Sequence, residues 1–145
     1  MPTARFANPV GQNIADKQAF YREAFRALRP GGRLALSNVC AGTAGEPFFP
    51  VPWASTRETS FLATPDETRA DLAAVGFDIA EFHDTTDAIV EVQRRNRERR
   101  LRGEMPPVAA DIILGARARE MQVNSMRSTE EGRTRMVEAL VRKPI

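Results

Sequence analysis

Arg26 to Val39 reads RALRPGGRLALSNV, and this stretch decides the fold. Its first residues close an amphipathic helix. Phe20, Ala24, Ala27 and Leu28, with Phe25 beside them, recur at the i, i+4, i+7/i+8 spacing of one buried face. Pro30-Gly31-Gly32 ends that helix, because proline cannot continue it and glycine accepts a left-handed cap. Arg33 to Val39, RLALSNV, is short, apolar and β-compatible, as an interior strand of a parallel sheet would be. A helix running straight into such a strand is half of a strand–helix–strand unit. No strand is recognisable before the helix. Residues 1–12 show no period and contain Pro2, Pro9 and Gly11, so they read as an irregular lead-in. Asn13 or Asp16 then caps the helix.

Downstream, Cys40 to Phe61 is a connection longer than loops without a role usually are. It carries Phe48, Phe49, Trp53 and Phe61, which predict an ordered cover. Thr64 to Glu67, TPDE, is a capping box with proline at the first helical position. The helix it opens runs to about Val75, with Gly76 as its carboxyl cap. Phe77 to Asp84 follows as a strand, with Phe77 and Ile79 facing one way and Ala80 and Phe82 the other. Thr85 or Thr86 opens a third helix that runs to about Arg102 and breaks at GEMPP. A fourth helix is expected over Val108 to Met126, with Ile112, Ile113, Ala116 and Met121 inward. Arg133 to Pro144 is a last strand. Helices alternating with three strands predict an α/β fold. Residues 13–145 read as a single domain behind the lead-in.

Composition excludes several functions. The 145 residues are 42% hydrophobic and 28% charged, as in ordinary globular proteins. No apolar run approaches the roughly 20 residues of a membrane span, and the start has no secretory-type apolar core. A cytoplasmic protein is therefore expected. One cysteine, Cys40, allows no intrachain disulfide and no cysteine metal cluster. One histidine, His83, has nothing resembling a nucleophile elbow near it, and no metal centre is expected. Both residues read as structural. The net charge is +2, but Arg94 to Arg102 holds six arginines against one glutamate. That run reads as a solvated helix face or as a contact with another polypeptide. Nucleic-acid binding is the weakest reading, because no aromatic residues interleave the arginines.

At these residues a resemblance enters. NIADKQAFYREAFRALRPGGRLALSNVCAG resembles the segment after the fourth strand of class I S-adenosylmethionine-dependent methyltransferases. It is most similar to the small-molecule group that includes sarcosine-type N-methyltransferases and quinone C-methyltransferases. TPDETRADLAAVGFDIAEFHD resembles the family's next helix, its AGF turn and its sixth strand. RTRMVEALVRKP resembles the antiparallel seventh strand. The resemblance covers about residues 13–144 and implies the carboxyl-terminal half of a Rossmann-like methyltransferase sheet, without its first four strands. The family's Gly-rich cofactor turn has no counterpart. Gly31, Gly32, Gly42 and Gly45 do not lie between a first strand and a helix amino terminus, where amides bind the cofactor.

By resemblance, Asn13 and Asp16 fall on the cofactor rim, against the plain alternative of a helix cap. Asn38 ends the fifth strand where many relatives carry an acidic residue facing the substrate. It can orient a ligand but cannot serve as a general base. The alternative is an asparagine satisfying a strand-end backbone group. FFPVPWAS resembles the substrate lid, so Trp53 and Phe61 could wall a small-molecule acceptor, or else plug a core. No catalytic residue is assigned. Three functional readings follow. The first is a methyltransferase that uses S-adenosylmethionine only with a partner, either a homodimer or a separate amino-terminal half. The second is a non-catalytic interaction or ligand-binding module with an exposed sheet edge. The third is a truncated product without a function of its own.

Overall fold

The strand of the RLALSNV stretch, β2, spans Arg33–Ala41 and lies inside a four-stranded sheet. The computed structural model describes residues 4–7 as backbone, and residues 11–104 and 115–145 with their side chains. Among these, the sheet order is β1 (Ala4–Ala7), β2, β4 (Thr134–Arg142), β3 (Asp78–Asp84). β1 runs parallel to β2, pairing Ala4 with Arg33 and Ala7 with Leu36. β4 is antiparallel to both β2 and β3. The α/β fold and its antiparallel last strand are as expected.

The lead-in needs correction. Ala4–Ala7 is a strand preceding helix α1 (Lys17–Ala27), so the sheet begins upstream of residue 13. Four residues between Pro2 and Pro9 are too few to show alternation. Pairing with β2 makes them a strand.

Along β2 burial alternates, with Leu34, Leu36, Asn38 and Cys40 buried. α1 and α2 (Pro65–Val75) cover that face. The core joins Tyr21, Leu28, Leu34, Leu36, Leu72, Phe77, Ala139 and Val141. Burying one such side chain contributes about 1.5–3 kcal/mol. Phe25 meets Phe77 edge-on at 5.0 Å between ring centres. The opposite face of the same strands, with Ala35, Ser37, Val39, Met136 and Leu140, is only half-buried.

α2 starts as the sequence predicts. The Thr64 hydroxyl accepts from the Glu67 amide, and the Glu67 carboxylate accepts from the Thr64 amide. It ends at Gly76, whose φ of 108° is left-handed.

β3 departs from simple alternation. Ile79 pairs with Val141 but Glu81 pairs with Leu140, so Ala80 is an extra residue in the ladder. This bulge turns Phe82 to the side of Ile79. Both pack on the core, instead of facing opposite ways.

α3 (Thr86–Leu101) matches its expected span. Of the fourth helix expected over Val108 to Met126, only the part from Gly115 on lies among the described residues, and it ends later than expected. A 3-10 turn at Gly115–Arg117 leads into α4 (Ala118–Glu130). Ala116 sits exposed on that turn, not inward, while Met121 is half-buried. Residues 108–114, with Ile112 and Ile113, lie outside the described residues. No described helix is long and apolar enough to cross a membrane.

Candidate functional site

β1 and β2 are parallel, so their carboxyl ends share one edge of the sheet. Ligands of open α/β sheets bind outside such ends. Two segments meet there. The 3-10 turn Gly11–Asn13 and the start of α1 follow β1. The cover, residues 42–61, follows β2. It is ordered as expected, with a bridge between Val51 and Ala54 and a 3-10 turn at Arg57–Thr59.

The structure brings most of the predicted residues together. The Asn13 amide donates to the Trp53 carbonyl, and to that of Thr59 at 3.4 Å. The Phe61 amide donates to the Gln12 carbonyl at 2.8 Å. The Trp53 indole N–H is taken by the Ser60 hydroxyl at 3.0 Å, and its ring is half-buried. Phe61 is 40% exposed. Asn38 is buried next to Gly11, and its amide donates to the Tyr21 hydroxyl at 3.1 Å. Asp16 stands apart from these contacts. Its Oδ1 accepts from the Ala19 amide at 2.8 Å, which makes it the cap of α1.

Two polar groups, Lys17 and Tyr21, escaped the sequence reading, and Cys40, read as structural, is buried near them. The Lys17 ammonium donates to the carbonyls of Gly11, Ile14 and Phe61. A lysine in a first helical turn ordinarily reads as solvated, so only its unfavourable position against the helix dipole marked it. Tyr21 lies beside Phe20 in sequence and is 1% exposed. The Cys40 thiol lies 3.5 Å from the Thr68 hydroxyl inside the same face.

These groups hold their protons in ways that suit positioning. Burial pushes the Tyr21 phenol up to about 12, against the lowering effect of its Asn38 hydrogen bond. Burial also pushes the Cys40 thiol up, so it is no thiolate nucleophile at neutral pH. Burial draws the Lys17 ammonium down, opposed by Cys40 and Asp71. His83 is well exposed on β3, 3.5 Å from Glu81, and belongs to neither the core nor this edge.

The arginine run lies on α3. Arg95 pairs with Glu91 at 3.0 Å and Arg102 with Glu104 at 2.9 Å. Arg94 and Arg97 turn to a groove of about 450 Å³ between α3, the end of α4 and the start of β4. Arg97 is paired there with Glu130 at 3.4 Å, and Arg135 with Asp84 at 2.6 Å. Its wall carries three arginines, Arg94, Arg97 and Arg135, against Asp87 and Glu130.

No protein-family model and no curated protein matches the sequence. Solved structures do. Phosphoethanolamine N-methyltransferase 2 of Haemonchus contortus, in complex with phosphomonomethylethanolamine and S-adenosylhomocysteine, aligns at a TM-score of 0.71 and 16% identity. The match covers 99% of this chain and 34% of that one. The fold is that of class I S-adenosylmethionine-dependent methyltransferases. Geranyl diphosphate C-methyltransferase of Streptomyces coelicolor A3(2) aligns at 0.66 and 17% identity, over 97% of this chain and 46% of that one. The [4+2]-cyclase SpnF aligns at 0.64 and 20%, over 99% and 51%. The chain thus spans between a third and about half of the length of these structures. A cyclase among them shows that this fold alone does not fix the reaction.

Among the described residues no Gly-rich turn joins a strand directly to the next helix. Their left-handed glycines, at positions 31, 45, 76, 103, 115 and 132, follow helices or lie in connections. Only Gly45 sits between a strand, β2, and the next α-helix, α2, and the whole aromatic cover separates it from that helix's amino terminus.

Proposed function

We propose that this chain is the acceptor-side half of a small-molecule methyltransferase that uses S-adenosylmethionine, of the group that includes sarcosine-type N-methyltransferases and quinone C-methyltransferases. The donor-side part pairs along the free edge of β1, whether it is a further segment, a separate polypeptide or a second copy of this chain. One observation carries the reading. Methyltransferase structures align with nearly all of this chain while it covers only 34% and 46% of them, and among the described residues β1 is a parallel edge strand. The half-buried sheet face supports it, because Ala35, Val39 and Leu140 put apolar side chains there that a further layer could cover.

In this reading the contribution of the chain is position, which can supply a large part of the rate of a reaction between two bound molecules. Trp53 and Phe61 wall the acceptor, and Asn38 orients it. Asn13 and Asp16 stand at the rim toward the donor. No residue is assigned as a base, because Asn38 cannot accept a proton and Tyr21 keeps its own. We assign the protein to the cytoplasm.

Calorimetry with S-adenosylmethionine, combined with sedimentation, tests this. The monomer is expected to bind none, and an assembly that completes the sheet is expected to bind saturably. Saturable binding by the monomer overturns the division into halves. A stable dimer that binds nothing favours the second reading, a non-catalytic module that uses the β1 edge for strand addition.

A further inference from the structure

Lys17 is half-buried, and its ammonium meets three carbonyls from two parts of the chain. Gly11 and Ile14, the latter at 2.7 Å, belong to the turn between β1 and α1. Phe61 belongs to the returning end of the cover. An ammonium has three N–H donors, so these acceptors satisfy it completely. The arrangement is asymmetric. Two of the bonds are local and hold the lysine in place. The third reaches 44 residues along the chain.

We propose that Lys17 is the positioning residue of the aromatic cover, pinning the Phe61 carbonyl, and with it the Trp53–Phe61 segment, to the turn above β1. Two weaker tethers share the seam. They are the Phe61 amide on the Gln12 carbonyl and the Asn13 amide on the Trp53 and Thr59 carbonyls. Hydrogen bonds from a charged donor are about twice as strong as neutral ones, so the lysine sets when the seam parts. Opening the cover exposes the carboxyl ends of β1 and β2. Lys17 therefore governs both the shape of the aromatic wall and access to it. That this wall faces a methyl acceptor rests on the function proposed above, whereas the latch itself does not.

Hydrogen exchange and quenching of Trp53, the one tryptophan of the chain, test the latch. In Lys17→Met the stem keeps its length and loses all donors. Exchange at the Phe61 amide is expected to rise about tenfold. Quenching of Trp53 by acrylamide is expected to rise with it, while the amides of Leu34 and Val141 keep their protection. Lys17→Arg, which retains charge and donors, is expected to restore part of the protection. Unchanged exchange at Phe61 overturns the proposal. An increase spread equally over Leu34 and Val141 also overturns it, because the lysine would then serve the whole fold. Should Lys17→Met not fold, Lys17→Gln, with a shorter stem and two donors, is read in the same way. Neither measurement involves S-adenosylmethionine, so failure of the latch and failure of the methyltransferase reading remain distinguishable.

Discussion

The side-chain amide of Asn38 donates to the hydroxyl of Tyr21 at 3.1 Å, tying the end of β2 to α1 beneath the cover. Both groups are buried. Tyr21 is the only tyrosine, so its ionisation can be followed alone by tyrosinate absorbance. The phenol is expected to titrate at about 12 in the folded protein, because burial penalises its anion. In the unfolded chain it titrates near 10. Between these values the folded state keeps a proton that the unfolded state releases. Stability is therefore full below about pH 10 and falls as pH rises through this window. Absorbance titration of the folded protein that shows a midpoint near 10 would contradict the burial.

The same pair predicts an asymmetry in mutants. Tyr21→Phe leaves the Asn38 amide buried without this acceptor and is expected to cost about 1–3 kcal/mol. Adding Asn38→Leu removes the stranded group. The double variant is expected to be more stable than Tyr21→Phe alone, measured by urea unfolding. A double variant whose losses simply add would show that the two side chains do not interact.

How much of this was legible in the sequence depends on where each signal resides. The α1–β2 hinge and the α2 cap were legible because proline, glycine and the Thr64–Glu67 box act within a few residues. β1 was not, because four residues become a strand only through β2. The bulge at Ala80 was not, since alternation cannot announce an extra residue. At the site, Asn13, Trp53 and Phe61 lie in one seam. Their polar atoms are largely engaged with one another and with backbone, which no one-dimensional pattern encodes. Lys17 was hidden for the same reason. Its three acceptors are carbonyls, and carbonyls carry no residue identity.

Two glycines separate strain from collision. Gly76 has φ of 108°, and an added Cβ would meet the Phe25 ring at 3.5 Å, an ordinary contact. Gly76→Ala is expected to cost about 1–2 kcal/mol, the price of a left-handed residue. At Gly42 an added Cβ would fall 2.0 Å from the Gly132 carbonyl oxygen. That carbonyl belongs to backbone, and the Gly42 amide donates to the neighbouring Arg133 carbonyl at 2.8 Å, so neither side can yield freely. Gly42→Ala is expected to cost about 3 kcal/mol or more. Thermal unfolding that ranks Gly76→Ala as the worse of the two would contradict the close approach of the cover to the start of β4.

Asp84 joins the end of β3 to α3 and β4. Its Oδ1 accepts from the Thr86 amide at 3.0 Å and from the Thr86 hydroxyl, and its Oδ2 accepts from Arg135 at 2.8 Å. Burial alone would raise its carboxyl. The bonds from Thr86 and the Arg135 guanidinium outweigh that and hold it below the usual carboxylate range. The sign follows directly. The unfolded carboxyl takes up a proton at a higher pH than the folded one, so the contribution is full above the ordinary aspartate value near 4. It is lost as pH falls through the depressed folded value. Asp84→Asn keeps the shape but weakens the charged bonds, and is expected to cost about 2 kcal/mol at neutral pH. The variant should also lose less stability than the parent between neutrality and acid. Urea unfolding of both proteins across that range measures the difference. Parallel pH profiles would show that Asp84 does not carry this part of the acid sensitivity.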